Sequence, residues 1–300
     1  MAQLKIREIN PAVGAEVEGF DPAAEHDQAT WTKLSQALSE RGVLVFRDVK
    51  MDAVAQHRVA EILFANGDLS KANLEINDKY TYVSNKEPDG GSPYGRLLFH
   101  TDMMWSDLAD QIPTLYGVEV AQPSTPTIFT STTYAWKTLP EALKKQVEGL
   151  KVFHQNGPQG RGGHKYEAEL IQPIWDKFYD VVTPIAHKHP RTGETMLYVG
   201  EQHTRYVVGM DRKESDALLD ELYEHLYRPD RLMEHHWKTG DLVIWDNMIA
   251  QHARPNVMGK GPARTLRKIH APGDIQKRFA NATSYADRDE PEPAVAGGMM

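Results

Sequence analysis

The chain contains no cysteine in its 300 residues. Disulfide bonds and thiolate metal sites are therefore excluded, and His, Asp and Glu are left as the strong metal-binding side chains. A basic excess is also missing, because 34 lysines and arginines face 42 acidic residues and give a net charge of −8. Nucleic-acid-binding proteins usually carry a basic patch or stripe, so we expect a small-molecule partner and no nucleic acid.

Long apolar runs are absent as well. No stretch reaches the roughly 20 apolar residues that a membrane-spanning helix needs. Residues 1–20 carry charges throughout and have no apolar core segment of the signal-peptide kind. We therefore expect a cytoplasmic protein that makes no membrane contact.

The predicted elements change in kind along the chain. Two short strands and two helices come first, the second helix running from Asp52 to Phe64. Residues 65–96 form a long polar stretch that we expect to be irregular, and strands follow it. An amphipathic helix opens at Asp211, and strands complete the pattern. This order predicts an α+β, mainly β fold, namely a double-stranded β-helix (jelly-roll) barrel with flanking helices.

Composition along the chain predicts one domain and one tail. We expect a single domain over residues 1–285, since no break in composition divides it. Residues 286–300 are rich in Pro, Gly and acidic side chains and are expected to be disordered. The Gly-rich segment 154–172 fits a flexible lid better than a core element.

A His-x-Asp motif, His100-Thr101-Asp102, ends an apolar segment. Residues i and i+2 of a β-strand point to one face, so His100 and Asp102 can reach one ion from a strand end. About 150 residues later, the apolar segment "GDLVIWDNMIAQH" ends at His252. Two imidazoles and one carboxylate on one face of an ion, with open positions opposite, are typical of non-haem Fe(II) enzymes that activate O₂.

The motif needs support from its surroundings. In a chain with 13 histidines, a His-x-Asp is expected by chance on the order of once. A strand-end histidine that caps a turn is an equally good interpretation of His252 taken by itself. Support comes from "RTLRK", which begins 12 positions after His252. In a strand, Arg264 and Lys268 share one face and Arg267 the other, so we expect the first two inside and Arg267 outside.

The chain resembles the taurine dioxygenase/TfdA family of Fe(II)- and 2-oxoglutarate-dependent oxygenases over nearly its whole length. The likeness is carried by an ordered set of segments: "GAEVEGFD", "HTD", "TIFTS", "HPRTGETMLYV", "WDN", and the terminal "RTLRK" with its following "GD". The ordered set is far more specific than any one of its members. It implies the same jelly-roll fold that the order of the elements predicts.

The resemblance implies His100, Asp102 and His252 as the iron ligands. It also implies that 2-oxoglutarate chelates the iron through its keto acid and anchors its far carboxylate on Arg264, with Thr127 as a second donor. A guanidinium suits this role because its planar fork binds a carboxylate in a bidentate manner. For Thr127 alone, a threonine chosen for its β-propensity would be the preferred interpretation.

The implied reaction is hydroxylation of an unactivated C–H of a small, anionic organic acid, with O₂ consumed and succinate and CO₂ released. The retained Asp102 argues against halogenation, in which a small residue leaves room for chloride. The family's second arginine is here Lys268, which we expect to bind the anionic end of the substrate. Because lysine lacks the bidentate geometry of arginine, taurine-like sulfonate specificity is not expected.

Further substrate contacts are expected around the metal motif. The candidates besides Lys268 are Arg96, Met103, Trp105 and Tyr94. Arg96, four residues before His100, is the second candidate for anion recognition. Most aromatic residues in this region are expected to pack in the core or at its rim.

Two alternatives use the same residues. A Zn(II) hydrolase would hold its metal-bound water with the same three ligands, and 2-oxoglutarate-dependent O₂ uptake separates it from a dioxygenase. A metal-stabilised binding protein would bind 2-oxoglutarate or substrate but make no succinate. In addition, we expect a homo-oligomer, either a dimer or a tetramer.

Overall fold

The computed structural model describes residues 4–76, 78–156, 179–258 and 260–274. The expected tail (286–300) and the predicted lid beyond residue 156 lie outside the described residues. In the part that is described, strands outnumber helices, as predicted. No helix in these ranges is both long and apolar enough to cross a membrane.

The first half of the described chain contains strands β1 (Lys5–Glu8), β2 (Ala15–Glu18), β3 (Val43–Phe46), β4 (Thr81–Ser84), β5 (Gly95–His100), β6 (Ile112–Val120) and β7 (Thr127–Ser131). The second half contains β8 (Lys151–Gln155), β9 (Asp180–Pro184), β10 (Ala186–Lys188), β11 (Thr195–Leu197), β12 (Thr204–Val207), β13 (Met233–His235), β14 (Leu242–Trp245), β15 (Ala250–Val257) and β16 (Arg264–Ala271). The α-helices are α1 (Gln28–Arg41), α2 (Ala53–Phe64), α3 (Thr132–Lys137), α4 (Glu141–Gln146) and α5 (Arg212–Leu226).

Two sheets form the central sandwich. The larger has seven strands in the order β1-β2-β3-β14-β6-β16-β4, and the smaller has four in the order β13-β7-β15-β5. Their facing side chains make one buried cluster, to which the larger sheet gives Val45, Leu115 and Leu266 and the smaller gives Phe129 and Ala250. Side chains that alternate between two faces bury one face of each sheet here. The predicted jelly-roll architecture is confirmed.

Helices α1 and α2 cover the outer face of the larger sheet. Their apolar stripes pack on strand side chains such as Leu44 and Phe46, and this contact is a second buried cluster. Both helices begin at an aspartate, since Asp27 accepts from Thr30 N and Asp52 from Ala55 N. Such caps satisfy backbone donors that a helix start leaves unpaired. The outer layer thus follows from local sequence signals, as expected.

The predicted amphipathic helix after Asp211 is α5. Asp211 is its N-cap, and the leucines of its apolar stripe are buried against the helices and strands of a third cluster. This cluster lies beside the three-stranded sheet β12-β8-β9.

The stretch 65–96 departs from the expectation of an irregular segment. It contains β4, which pairs with β16 through Thr265↔Ser84 and Leu266↔Val83 and forms an edge of the larger sheet. Strand β4 has only four residues, so its sequence shows no strong periodicity. Its strand conformation depends on pairing with β16, which is distant in the sequence and could not be predicted from local pattern.

Candidate active site

Strands β5 and β15 bring the two predicted histidine ligands together. His252 is the register partner of His100 in this antiparallel pair, and their ring centroids are 4.2 Å apart. His100 Nδ1 donates to Leu98 O at 2.7 Å. Because Nδ1 carries the proton, Nε2 of His100 presents its lone pair toward the cluster.

Asp102 completes the cluster. Its Oδ1 lies 3.4 Å from His100 Nε2 and 3.9 Å from His252 Nε2, and one donor atom from each residue lies within 4.8 Å of the others. Atoms bound to one ion at about 2.1 Å are about 3 Å apart when they subtend a right angle. The two nitrogens and one oxygen therefore fit a divalent metal after only a small closing movement.

The reason for this convergence differs from the predicted one. Strand β5 ends at His100, so Asp102 belongs to the turn after the strand and not to the strand itself. Asn247 holds that turn: its Oδ1 accepts from Asp102 N at 3.0 Å, and its Nδ2 donates to Asp102 O at 2.8 Å. Nδ2 also donates to Ala109 O at 2.8 Å. The hydrogen bonds of the Asn247 side-chain amide to the Asp102 backbone, and not strand alternation, position the Asp102 carboxylate.

Sequence reasoning missed the role of Asn247. The available signal was "WDN", which entered only as part of the family likeness. The middle residue, Asp246, accepts from Met248 N and Ile249 N and from His189 Nε2. These bonds shape the turn that leads into β15 and to His252.

The electrostatics of the cluster favour metal-binding protonation states. Burial raises the pKa of Asp102, but the Lys268 charge and the two imidazoles outweigh burial and hold that pKa well below its usual range. Burial and the adjacent His100 lower the pKa of His252 well below its ordinary value. An ionised carboxylate and a neutral imidazole are the forms that coordinate metals.

Strand β16 presents its cations as the alternation predicts. Arg264 is buried, and its guanidinium reaches Thr127 Oγ1 at 3.4 Å and Thr125 O at 3.3 Å. Lys268 Nζ donates to Asp102 Oδ2 at 2.8 Å. Arg267 lies on the outer face, where it contacts α2. The predicted orientation of all three side chains is confirmed.

Arg264 and Thr127 form a polar corner with unused donors. Burial, and then the charge of Arg254, lower the pKa of Arg264 to about 9, so the guanidinium is charged at neutral pH. Within the described ranges no carboxylate pairs with it. Thr127 Oγ1 accepts from Trp237 Nε1 at 3.0 Å and from Arg264. A hydroxyl that accepts twice keeps its proton to donate. This corner suits an incoming carboxylate.

Arg254 was not singled out from the sequence. It lies two residues after His252 in β15, is buried, and donates to the carbonyls of Ser92, Tyr94 and Gly95 at 2.8 to 3.1 Å. It ties the segment before β5 to the strand that carries His252. A lone arginine between two ligand-bearing strands gives no local pattern that would reveal this.

The remaining substrate candidates lie at different depths. Arg96 is exposed on β5, and Tyr94 is half-buried beside it. Met103, directly after Asp102, has φ 58°, and its Sδ accepts from Gln111. Trp105 is buried, with its ring 5.6 Å from that of Tyr179. Only Lys268 among the substrate candidates bonds directly to a residue of the metal cluster in the described part of the chain.

Comparisons with known proteins agree with this geometry. The sequence pattern of the family described as "Taurine catabolism dioxygenase TauD, TfdA family" matches residues 5–270. The chain is similar to an alkylsulfatase of Acinetobacter baylyi, 29% identical over 280 residues that cover 91% of this chain and 86% of the relative. It is 23% identical over 287 residues to an alpha-ketoglutarate-dependent sulfate ester dioxygenase of Pseudomonas putida, with 91% of each chain covered.

Solved structures show the same fold. AAD-2, solved in complex with Mn(II) and N-oxalylglycine, superposes with a TM-score of 0.71 at 22% identity, covering 89% of this chain and 96% of that one. A taurine dioxygenase from Burkholderia xenovorans gives 0.66 at 22% identity, with 88% and 89% covered.

Neither alternative drawn from the sequence, the zinc hydrolase or the binding protein without turnover, finds support among these relatives. The family match covers nearly the whole described chain. Its implied cofactors agree with the two-histidine, one-carboxylate cluster. The chain belongs to the TauD/TfdA family and is an Fe(II)- and 2-oxoglutarate-dependent dioxygenase.

Proposed function

We propose that this dioxygenase hydroxylates small organic anions and that alkyl sulfate esters are its substrate class. The observation that carries the proposal is the Lys268 ammonium, 2.8 Å from Asp102 Oδ2 and therefore beside the metal cluster. A cation at this place can hold a substrate's anionic end near the reacting centre. Two similar proteins are named as an alkylsulfatase and a sulfate ester dioxygenase.

The charge balance around the site supports an anionic substrate. Besides the outward-facing Arg267, strands β15 and β16 carry three cations, Arg254, Arg264 and Lys268, against the single carboxylate that Asp102 gives to the metal cluster. The two charges of Fe(II) and the two of 2-oxoglutarate cancel each other. Positive charge therefore remains, and it attracts an anion into the cleft.

The site residues have separate roles in this proposal. His100, His252 and Asp102 Oδ1 hold Fe(II), while Arg264 and Thr127 hold the far carboxylate of 2-oxoglutarate. With O₂ and 2-oxoglutarate, bound iron supplies the oxidising chemistry that converts C–H to C–OH and releases succinate and CO₂. The protein's share is to position both acids and exclude water.

We further propose that Tyr94, Arg96, Met103 and Trp105 contact the substrate. They flank His100 and Asp102 in the chain, since Met103 follows Asp102 directly and Trp105 is three residues after it. Exposed Arg96 would act at the entrance as a second anion contact. The homo-oligomer, the cytoplasmic location and the single domain over 1–285 stay predictions.

The proposed substrate predicts particular products. Hydroxylation of the carbon that bears the sulfate oxygen gives a hemiacetal-type ester, R–CH(OH)–O–SO₃⁻. Its hydroxyl loses a proton as the C–O bond to sulfate breaks, which yields an aldehyde and hydrogen sulfate. Each turnover would then form one aldehyde, one sulfate and one succinate.

The test is succinate formation with matched acids. We expect hexyl sulfate to give succinate, hexanal and sulfate in equal amounts, at a rate well above those of hexanesulfonate, taurine and an aryloxyalkanoate. The Asp102→Ala variant is the control for metal-dependent turnover. Tight coupling to an aryloxyalkanoate, with hexyl sulfate inactive, would assign the enzyme to a different substrate class.

A further inference from the structure

The two oxygens of Asp102 have different partners. Oδ1 faces the imidazoles, at 3.4 Å from His100 Nε2 and 3.9 Å from His252 Nε2. Oδ2 accepts from Lys268 Nζ at 2.8 Å. The Asp102 side chain is 17% exposed and that of Lys268 is 21% exposed. The pair is largely shielded from water, so its attraction is screened less than that of a surface pair.

Lys268 is the charge partner of Asp102 when no metal is bound. The imidazoles of His100 and His252 approach only the other oxygen, Oδ1, at 3.4 and 3.9 Å, so Lys268 has the shortest contact to the carboxylate. A shielded carboxylate without a cation is costly, and removing one member of such a pair is strongly destabilising. The ammonium comes from β16, across the interior from the turn that carries Asp102.

We propose that Lys268 is the built-in counter-ion of Asp102, which keeps the ligand set assembled before the metal arrives and moderates the affinity of the site for a divalent ion. The inference deepens the proposed function, since it rests on Asp102 as a metal ligand and on Lys268 as an anion contact. An ammonium has three N–H donors. One is used by Asp102, and no hydrogen bond to the described residues takes the other two, which can bind the anionic end of a substrate.

The direction in which metal affinity changes when the Lys268 charge is removed separates the counter-ion role from a role in positioning Asp102 alone. If Lys268 only oriented Asp102, its removal would weaken metal binding, as loss of a partner of a ligand commonly does by about 10- to 100-fold. A counter-ion has the opposite effect, because its charge repels the incoming metal. Like charges a few ångströms apart in a shielded site correspond to more than about a tenfold change in affinity.

The experiment compares Mn(II) affinity, measured by calorimetry without 2-oxoglutarate, in four variants and the wild type. Lys268→Met and Lys268→Gln remove the charge, Lys268→Arg retains it, and Arg267→Met is the outward-facing control on the same strand. We expect both neutral variants to bind Mn(II) at least tenfold more tightly. Lys268→Arg and Arg267→Met should stay within about threefold of the wild type.

Thermal unfolding of the metal-free proteins gives the second readout. We expect Lys268→Met to lower the Tm of the metal-free protein, and Mn(II) to raise it by more than in the wild type. In an Asp102→Asn background, the Lys268→Met change should lose most of this effect, since the carboxylate charge is gone.

Unchanged or weaker Mn(II) affinity in both neutral variants would overturn the proposal. None of these measurements uses a sulfate ester. A failure of hexyl sulfate to support succinate formation would thus count against the proposed substrate alone.

Discussion

Arg264 and Arg267 lie three residues apart on β16 but have opposite surroundings. Arg267, on the outer face, donates to Gln56 Oε1 at 2.7 Å and to Met51 O at 2.9 Å, and its guanidinium lies 4.8 Å from the centroid of the Tyr116 ring. In the described part of the chain, the hydrogen bonds of the Arg264 guanidinium, on the inner face, are those of 3.3 and 3.4 Å to oxygens of Thr125 and Thr127, and the group lies 6.0 Å from the centroid of the Trp237 ring. The outer arginine is satisfied by the fold, and the inner one is not.

The difference in hydrogen bonding between Arg264 and Arg267 indicates that the two faces of β16 have different roles. A buried guanidinium with long, few hydrogen bonds costs stability, and burial lowers the Arg264 pKa to about 9 for that reason. Such a cost is typical of a group held ready for a ligand. Variants of Arg264 should therefore lose function and keep their stability, and variants of Arg267 should do the reverse.

The largest effect is expected at Asp102. Asp102→Ala should abolish Fe(II)-dependent succinate formation and weaken metal binding by more than about 100-fold. Losing a metal ligand lowers metal affinity more than losing the hydrogen-bond partner of a ligand, which commonly costs about 10- to 100-fold. The folded structure, followed by circular dichroism, should be retained. Asp107→Ala, an exposed aspartate five residues later, is the control. Near-normal turnover by Asp102→Ala would mean that the metal ligands are misassigned.

The two arginines give the sharpest contrast, and the next largest effect. Arg264→Ala should weaken 2-oxoglutarate binding by roughly 2 to 5 kcal/mol, the usual range for truncating one partner of a buried charge pair. Its free energy of unfolding should change little, since its present hydrogen bonds are long. Calorimetry with 2-oxoglutarate and denaturant unfolding measure the two quantities.

Arg267→Ala should show the opposite result. It leaves Gln56 Oε1 and Met51 O without their donor, which costs about 1 to 3 kcal/mol of stability when such groups are buried. Its affinity for 2-oxoglutarate should equal that of the wild type. Equal losses of affinity in both variants would show that the two faces of β16 are not functionally distinct.

The sequence allowed the orientation of these arginines to be predicted because strand alternation is a local property. Arg264 and Lys268 were expected inside and Arg267 outside, and the structure agrees. The helix starts predicted at Asp52 and Asp211 rested on equally local signals. Such local rules succeeded on β16 and at these helix starts, but the same two-residue alternation was wrong for Asp102, which lies in the turn after β5.

Long-range contacts decided the parts that could not be predicted. Asn247 clamps Asp102 across 145 residues of chain, and Lys268 pairs with it across 166. No spacing rule connects positions so far apart. Strand β4 was missed for a related reason, since its pairing with β16 is what makes it a strand. Family resemblance supplied the metal ligands, but not the side chains that hold them.

The smallest effect is expected at Glu61, a buried residue on the outer layer. Its Oε1 accepts from Gly273 N at 2.6 Å, just after the end of β16. Burial raises the Glu61 pKa, although the Gly273 hydrogen bond and His57 oppose the shift. The folded protein therefore retains this proton at pH values where the unfolded chain has lost it. Stability from this group is complete at low pH and is lost as pH rises through the raised pKa.

Glu61→Gln should remove this loss of folding stability at higher pH, because the amide oxygen still accepts from Gly273 N and the amide carries no charge. We expect wild type and variant to unfold alike below about pH 4, the range where an ordinary glutamate is protonated. At neutral pH the variant should be more stable, by no more than about 1 kcal/mol. Glu221→Gln, at an exposed position of α5, should show no such pH dependence.

If Glu61→Gln is instead less stable at neutral pH, the ionised carboxylate stabilises the fold through His57, 3.8 Å away. The outer face would then depend on charge pairs as the inner face does.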